Sequence, residues 1–319
     1  MAFPNVSDII TTTIESRTKK IADNVTKNNA LLMRLSQKGK MRTFSGGRLI
    51  YEELSFAENG NAGWYSGYDL LPVAAQDVLS AAQFDIKQAA CPVVISGLEM
   101  LQNAGPEQMI DLLAARIDVA ESTMKNLVAG GIYADGTGSG GKEITGLNAA
   151  VPFDPTTGVY GGIDRVTWTF WRSKLVNAAS AATIQANMNS LWAQPVRGAD
   201  RPDLIPMDNV VWSAYVASLQ AQQRFTGSEV GNLGFPTIKY MDADCVLDGG
   251  IGGFCPAGTA FMLNTDYIRF RPHSARNFVP LSPNKRYSIN QDAEVQILAW
   301  AGNLTTSGAQ FQGRLDVNP

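Results

Sequence analysis

The sequence predicts an α+β protein, and three observations carry that expectation. Residues 106–129 place Met109, Leu113, Ile117, Ala120, Met124 and Leu127 at steps of three and four, one continuous apolar stripe along a long helix. Separate short runs such as 48–56 and 82–95 alternate apolar and polar side chains as half-buried strands do. Strand-like and helix-like runs follow one another without an internal repeat, so helices and sheets are mixed in one chain.

Taken in order, the chain opens with apolar pairs at roughly helical spacing: Val6, Ile9, Ile10, Ile14, Ile21, Val25, then Leu31, Leu32 and Leu35. The pattern is broken, so residues 5–40 read as one or two amphipathic helices with too little apolar surface to stand alone. RLIYEELSF (48–56) favours a strand through Leu49, Tyr51, Leu54 and Phe56, and Phe84 and Ile86 alternate with Asp85 and Lys87 in the next. Between these strands lies ENGNAGWYSGYDLLP, Glu58 to Pro72, which has an Asn-Gly pair, three glycines and a proline. That composition is a loop, far longer than an ordinary hairpin turn. Yet it carries Trp64, Tyr65, Tyr68, Leu70 and Leu71, large apolar side chains that a solvated loop has no use for.

The long helix is opened by Pro106-Glu107 and expected to stop at Gly130-Gly131; at 1.5 Å per residue it spans about 36 Å. A second helix is expected over 178–194, with Ile184, Met188 and Leu191 on one face and Pro195 as the stop. A third follows Ser213, with Tyr215, Leu219 and Phe225. Further extended runs are Val210–Trp212, Thr237–Val246, Ala260–Phe270, Glu294–Trp300 and Phe311–Val317.

Composition narrows the function. Of 319 residues, 45% are hydrophobic and 17% charged, below the usual quarter. No run of about 18 apolar residues occurs, so no membrane span is expected, and MAFPNVSDII lacks the layout of a signal peptide. Little charge without a membrane signal points to surface hidden against partners. Charge is also uneven. Residues 1–48 hold nine basic residues against three acids, +6, and the remainder 17 against 26, −9. A basic arm on an acidic body suits a negative partner, nucleic acid or the acidic surface of another copy, although any one of these charges fits a solvated helix face equally well.

No pattern of catalytic or ligating residues stands out. Cys91, Cys245 and Cys255 form no CxxC and read as reduced core thiols; with His273 the sole histidine, a zinc site is not expected. His273 lies in RPHSARN, where flanking arginines disfavour an imidazolium, and no GxSxG elbow is present. Asp242, Asp244 and Asp248 resemble a calcium loop only loosely, without a bidentate Glu at the twelfth position. DGTGSGGKE is the most tempting stretch, since Gly136, Gly138 and Gly141 match GxGxxG and Gly136–Lys142 matches GxxxxGK. Phosphate binding there needs a strand before and a helix after, and Ser or Thr after the lysine. Here a helix precedes, KEITGL reads as extended, and Glu143 would repel phosphate. A connector is the better reading; a nucleotide- or phosphate-dependent soluble enzyme using 136–142 is the alternative. Neither a cofactor nor a catalytic residue is assigned.

The order of parts then becomes distinctive: basic helical arm, long hairpin with an aromatic tip, long helix, Gly-rich connector, mixed remainder. With AENGNAGWYSGYDLL (57–71), QAACPVVISGLEMLQN (88–103), YADGTGSGGKEITGLNAAV (133–151) and YGGIDRVTWTFWRSK (160–174), it resembles the major capsid proteins of tailed bacteriophages, the Hong Kong 97 fold family, over almost the whole chain. The resemblance implies an N-terminal arm (1–40), an extended loop (41–96), a peripheral domain (97–165 with 260–319) whose spine helix is 106–129, and an axial domain (166–259). It implies a non-enzymatic shell protein whose hexamers and pentamers enclose double-stranded DNA, assembled in the host cytoplasm and resident in the virion. Portal and scaffolding or decoration proteins would be its other partners. Trp64, Tyr65, Tyr68, Leu70 and Leu71 would be covered by a neighbouring subunit, and Ile9, Ile14, Ile21 and Leu32 would be the arm's contacts. Some members crosslink through a lysine near the loop tip; residues 43–86 contain none, so that chemistry is not expected here.

Overall fold

The computed structural model describes residues 29–102, 106–178, 181–220, 237–250, 253–281, 286–287 and 292–317. Ile9, Ile14 and Ile21 of the expected arm, Phe225, and the side chains of Met109 and Leu113 lie outside them.

The first described element is helix α1 (Ala30–Gln37). Asn29 caps it, its side-chain oxygen accepting the N–H groups of Leu31 and Leu32 at 3.0 and 3.2 Å. At the other end the Lys40 N–H donates to the Leu35 carbonyl (2.8 Å) and the Gly39 N–H to Ser36 (3.0 Å). Gly39 sits at φ +64°, the left-handed position where such a cap calls for glycine. Between these stops Leu31, Leu32 and Leu35 fall on one face and are fully buried in the chain's own core. Leu32 was expected among the contacts to neighbouring copies; it is used within the subunit, because the 31, 32, 35 spacing gives this short helix a single apolar face.

Strands β1 (Leu49–Ser55) and β2 (Leu79–Asp85) form an antiparallel hairpin in register from Leu49↔Asp85 to Ser55↔Leu79. Ile50, Glu52, Leu54, Ala82 and Phe84 face the body, whereas Tyr51 and Leu79 face out. Strand β3 (Lys87–Ser96) leads through α2 (Gly97–Gln102) into the long helix α3 (Pro106–Tyr133). Two expectations for α3 need correction. It does not stop at Gly130-Gly131 but passes through them, because a Cβ at Gly131 would lie 2.9 Å from Ile144 and one at Gly130 3.2 Å from Phe254. The glycines serve close packing, at a cost of about 1 kcal/mol each in helix propensity. The stripe also turns: Ile117, Ala120, Met124, Val128 and Ile132 are buried, while Leu127 is 53% exposed. A 3.6-residue turn carries the face from 124 to 128.

A small hairpin, β4 (Val159–Tyr160) with β5 (Ile163–Asp164), precedes β6 (Lys174–Ala178), α4 (Ile184–Ala193), β7 (Leu204–Met207), α5 (Asn209–Gln220), β8 (Thr237–Tyr240), β9 (Ala243–Leu247) and β10 (Thr259–Met262). Ile184, Met188 and Leu191 are the buried face of α4. Val210–Trp212 is not a strand but the first turn of α5; the Asp208 carboxylate accepts the Val210 N–H at 3.3 Å, a start signal that overrides the β-branched pair. Thr237–Val246 is two strands turning at Met241, φ +52°. Ala260–Phe270 is interrupted at Thr265–Tyr267, where the Asn264 side chain accepts the Asp266 N–H and closes a tight turn. The chain ends in β11 (Ile268–Pro280), β12 (Arg286–Tyr287), β13 (Ala293–Thr306) and β14 (Gly313–Val317).

Two larger sheets organise these elements. In one, β13 pairs with β3 on one side and with β11 and β12 on the other. The other is six-stranded, in the order β6-β14-β10-β7-β9-β8, parallel at β14/β6 and β7/β9. Thr259–Met262 and Gly313–Val317 therefore join the sheet of residues 174–247, across the boundary expected at 259/260. There are two cores, and the six-stranded sheet faces both, with Leu204, Val246 and Phe261 turned toward the first. α1, the hairpin base and α3 pack with Phe270, Trp300 and Leu304; α4 and α5 cover Ile205, Cys245, Met262 and Leu315.

Candidate assembly surfaces

Residues 57–77 leave the hairpin without strand structure, and among the described residues their hydrogen bonds stay inside the segment. Asn61 Nδ2 donates to the Ala74 carbonyl (2.5 Å), the Ser66 N–H to Asp69 (2.8 Å) and the Ala62 N–H to the Asn59 carbonyl (3.1 Å). These local turns hold the tip but cover none of it. Trp64 and Tyr68 are as accessible as in an open chain (105% each), and Tyr65, Leu70 and Leu71 are exposed as well. The five side chains expected together are thus on one segment. Val73, also exposed, belongs with them; its position just after Pro72 was the signal that could have found it.

The base of this hairpin is fixed by a buried charge. Glu52, 2% exposed, accepts from Arg269 Nη1 and from the Thr305 hydroxyl (2.9 Å), and lies 3.2 Å from Arg271 Nη1. Phe56 meets Trp168 and Phe170 at ring distances of 5.7 Å, and the Gln83 N–H donates to the Gly161 carbonyl at 2.9 Å. Other apolar side chains stand in solvent elsewhere: Leu98 on α2, Val119 on the long helix, and Phe153, Val159 and Val166 in and near the small hairpin.

The basic end of the arm is paired within the chain. Arg34 Nε lies 2.9 Å from Asp203 and Arg34 Nη1 3.6 Å from Asp244; Lys38 reaches Asp203 (3.2 Å) and Asp266 (3.1 Å), and Lys40 reaches Asp266 (3.4 Å). Burial works against the Asp266 carboxylate, but Lys38 and Lys40 hold its pKa below the usual range.

The acids that suggested a calcium loop do not converge. Asp242 pairs with Arg201 at 3.0 Å, Asp244 with Arg34, and Asp248 accepts the Tyr133 hydroxyl. Burial raises the Asp248 pKa, opposed by that hydroxyl and by the Phe254 N–H; burial raises Tyr133 too. Among the described residues no cluster of His, Cys, Asp and Glu suits a metal ion. His273 meets Phe44 edge-on at 4.9 Å and accepts the Ala275 N–H at 3.1 Å. Cys245 and Cys255 are buried and Cys91 partly so, all as free thiols.

The Gly-rich stretch comes after α3 and makes one turn at Gly138–Gly141, with Ser139 and Gly140 at φ +53° and +70°. Beyond it the chain forms no long helix but an irregular run and a single turn, Leu147–Ala150. Lys87 Nζ donates to the Gly141 carbonyl (2.7 Å), and the Glu143 carboxylate accepts from Ser139 (3.2 Å). The stretch borders a cavity of about 570 Å³ lined chiefly by apolar groups, Leu127, Ile144, Phe254 and Trp300 among them.

No protein-family model and no curated protein matches the sequence. Solved structures do. The chain superimposes on a subunit of the cyanophage A-1(L) capsid with a TM-score of 0.60, 15% identity, and 88% of this chain and 91% of that one covered. For the capsid of a native GTA particle the values are 0.59, 13%, 90% and 90%. For Mycobacterium phage Bobi they are 0.55, 11%, 91% and 91%. At so low an identity it is backbone architecture that agrees, over about nine-tenths of each chain, and the protein has the α+β, Hong Kong 97-like fold of phage capsid proteins.

Proposed function

We propose that this chain is a major capsid protein, whose activity is repeated self-association into hexamers and pentamers that close an icosahedral shell around double-stranded DNA. The observation that carries the reading is the tip at 57–77. It spends Trp64, Tyr65, Tyr68, Leu70 and Leu71 on solvent in a single chain, and only burial against another copy gives those side chains a use. The capsid fold of the solved structures supports it, as does a composition with 17% charge.

In this reading residues 1–40 are the arm and 41–96 the extended loop. The sheet built on β13, with α3, is the peripheral domain; the six-stranded sheet with α4 and α5 is the axial domain, extended by residues 260–262 and by Gly313–Val317 beyond 166–259. The role is structural, with no cofactor. Portal and scaffolding or decoration proteins are the further partners, DNA is met through non-specific contacts, and the chain assembles in the host cytoplasm and resides in the virion. The test is sizing and negative-stain microscopy of the purified protein. Shells of megadalton mass are expected; a small oligomer that binds nucleotide through 136–142 would overturn the reading.

A further inference from the structure

The hairpin meets the body through an apolar face with one charged residue in it. Ile50, Leu54, Ala82 and Phe84 enter the core, and Glu52 lies between the first two, equally buried. Its carboxylate takes Arg269, Arg271 and Thr305 together. Arg269 and Arg271 are two residues apart on β11, hence on one face, and Thr305 stands opposite Arg269 in β13. The clasp therefore joins the two-stranded hairpin to a fixed point of the four-stranded sheet.

Stability alone does not account for a carboxylate here. An apolar side chain in its place would avoid the desolvation of the charge, and buried ion pairs add little net stability over apolar replacements. Geometry does account for it. Apolar contacts are non-directional and tolerate sliding and tilting. A carboxylate shared by two guanidinium groups and a hydroxyl has one satisfactory position; a one-residue slip would leave both arginines facing Tyr51, or would offer them Glu53 only by turning Ile50 and Leu54 out of the core. The other ties at the base, the Phe56 rings, the Gln83–Gly161 bond and the bond from Asn303 Nδ2 to the Asp85 carbonyl (2.8 Å), are not charge-specific.

We infer that Glu52 is the positioning residue of the extended loop: its clasp on Arg269, Arg271 and Thr305 sets the angle at which the hairpin leaves the body, and through that angle the curvature of the shell. Twelve residues separate Glu52 from Trp64, at most about 40 Å of extended chain; a tilt of about ten degrees at the clasp moves a point that far away by about 7 Å, more than one strand spacing. The inference rests on the capsid reading.

The experiment compares wild-type protein with Glu52→Gln, Arg271→Gln and Leu54→Ala, measuring thermal unfolding of the free chain and the diameters of assembled particles. Leu54→Ala is expected to lower the unfolding temperature and leave the diameter alone. Glu52→Gln is expected to fold and to lose the single diameter, giving a broad distribution with open or tubular forms. Arg271→Gln, which leaves Glu52 paired to Arg269 and Thr305, is expected to broaden it less, and it carries the test if Glu52→Gln does not fold. Wild-type diameters from Glu52→Gln, or from Arg271→Gln in its place, would overturn the inference and leave the capsid reading standing. A wild-type protein that forms no particles would overturn both.

Discussion

Trp64 touches nothing in its own subunit, so its removal separates folding from assembly cleanly. Trp64→Ala is expected to leave the unfolding temperature of the free chain unchanged and to raise the protein concentration needed for assembly, by roughly 2 kcal/mol or more per contact, the range of an aromatic anchor. Light scattering against concentration reads this; an unchanged threshold would remove Trp64 from the interface. Asp248 tests the interior instead. Burial holds its folded pKa above the ordinary carboxylate value, with the Tyr133 hydroxyl and Phe254 N–H opposing. The folded chain thus binds this proton more tightly than the unfolded one. That contribution to stability is fully present below the unfolded value of about 4 and is lost as pH rises through the folded value. Asn at 248 removes the dependence, so the unfolding temperature of Asp248→Asn relative to wild type should rise between pH 4 and pH 7. A difference that shrinks over that range would show the carboxylate to be favourably ionised.

Among the elements, α1 sets burial against charge most directly. Leu31, Leu32 and Leu35 are fully buried, worth roughly 1.5–3 kcal/mol each. The ion pairs of Arg34, Lys38 and Lys40 lie at a partly exposed edge, where a pair contributes about 0–1 kcal/mol and is screened over about 8 Å at physiological salt. Apolar burial wins, so Leu32→Ala should cost about 2–5 kcal/mol in chemical denaturation, and Arg34→Ala under about 1. Adding salt should change the wild-type value little; a loss in salt as large as that from Leu32→Ala would shift the weight to charge. The hairpin tip is the opposite case, an element with no internal packing to lose. Deleting Gly60–Pro72 should leave the circular dichroism and unfolding of the body intact and abolish closed shells. Wild-type-like particles from the deletion would show that the tip takes no part in assembly.

For the whole molecule, the capsid reading proposed above carries an expectation about how copies cohere, through surfaces rather than covalent links. Residues 43–86 hold no lysine, and the described cysteines are free thiols, two of them buried. Particles heated in denaturant with reductant should therefore run as single 34.3 kDa chains on an electrophoresis gel. A ladder of covalent multimers would reveal a crosslink formed elsewhere. The low charged fraction fits the same reading, in which neighbouring copies cover much of the surface.

The sequence by itself determined the parts that local chemistry controls. The apolar spacing of Leu31, Leu32 and Leu35 marks a helix, the stepping of Ile117, Ala120 and Met124 gives the long helix its buried face, alternation gives the hairpin, and Glu58–Pro72 is legible as a loop overloaded with aromatics. Periodicities of 3.6 and 2 and the dihedral preferences of Asn, Gly and Pro act within a few residues, so they can be read without the fold. Only the tertiary structure decided what depends on which distant segments meet. It carried the long helix through Gly130-Gly131 because Phe254 and Ile144 press against them, made Val210–Trp212 helical, and drew Thr259–Met262 and Gly313–Val317 into the six-stranded sheet. It turned Leu32 into the subunit's own core and buried Glu52, one glutamate among many in the sequence, against Arg269, Arg271 and Thr305. More than 200 residues separate Glu52 from its partners, and the worth of a charge is set by what surrounds it after folding, which no neighbouring residue in the chain discloses.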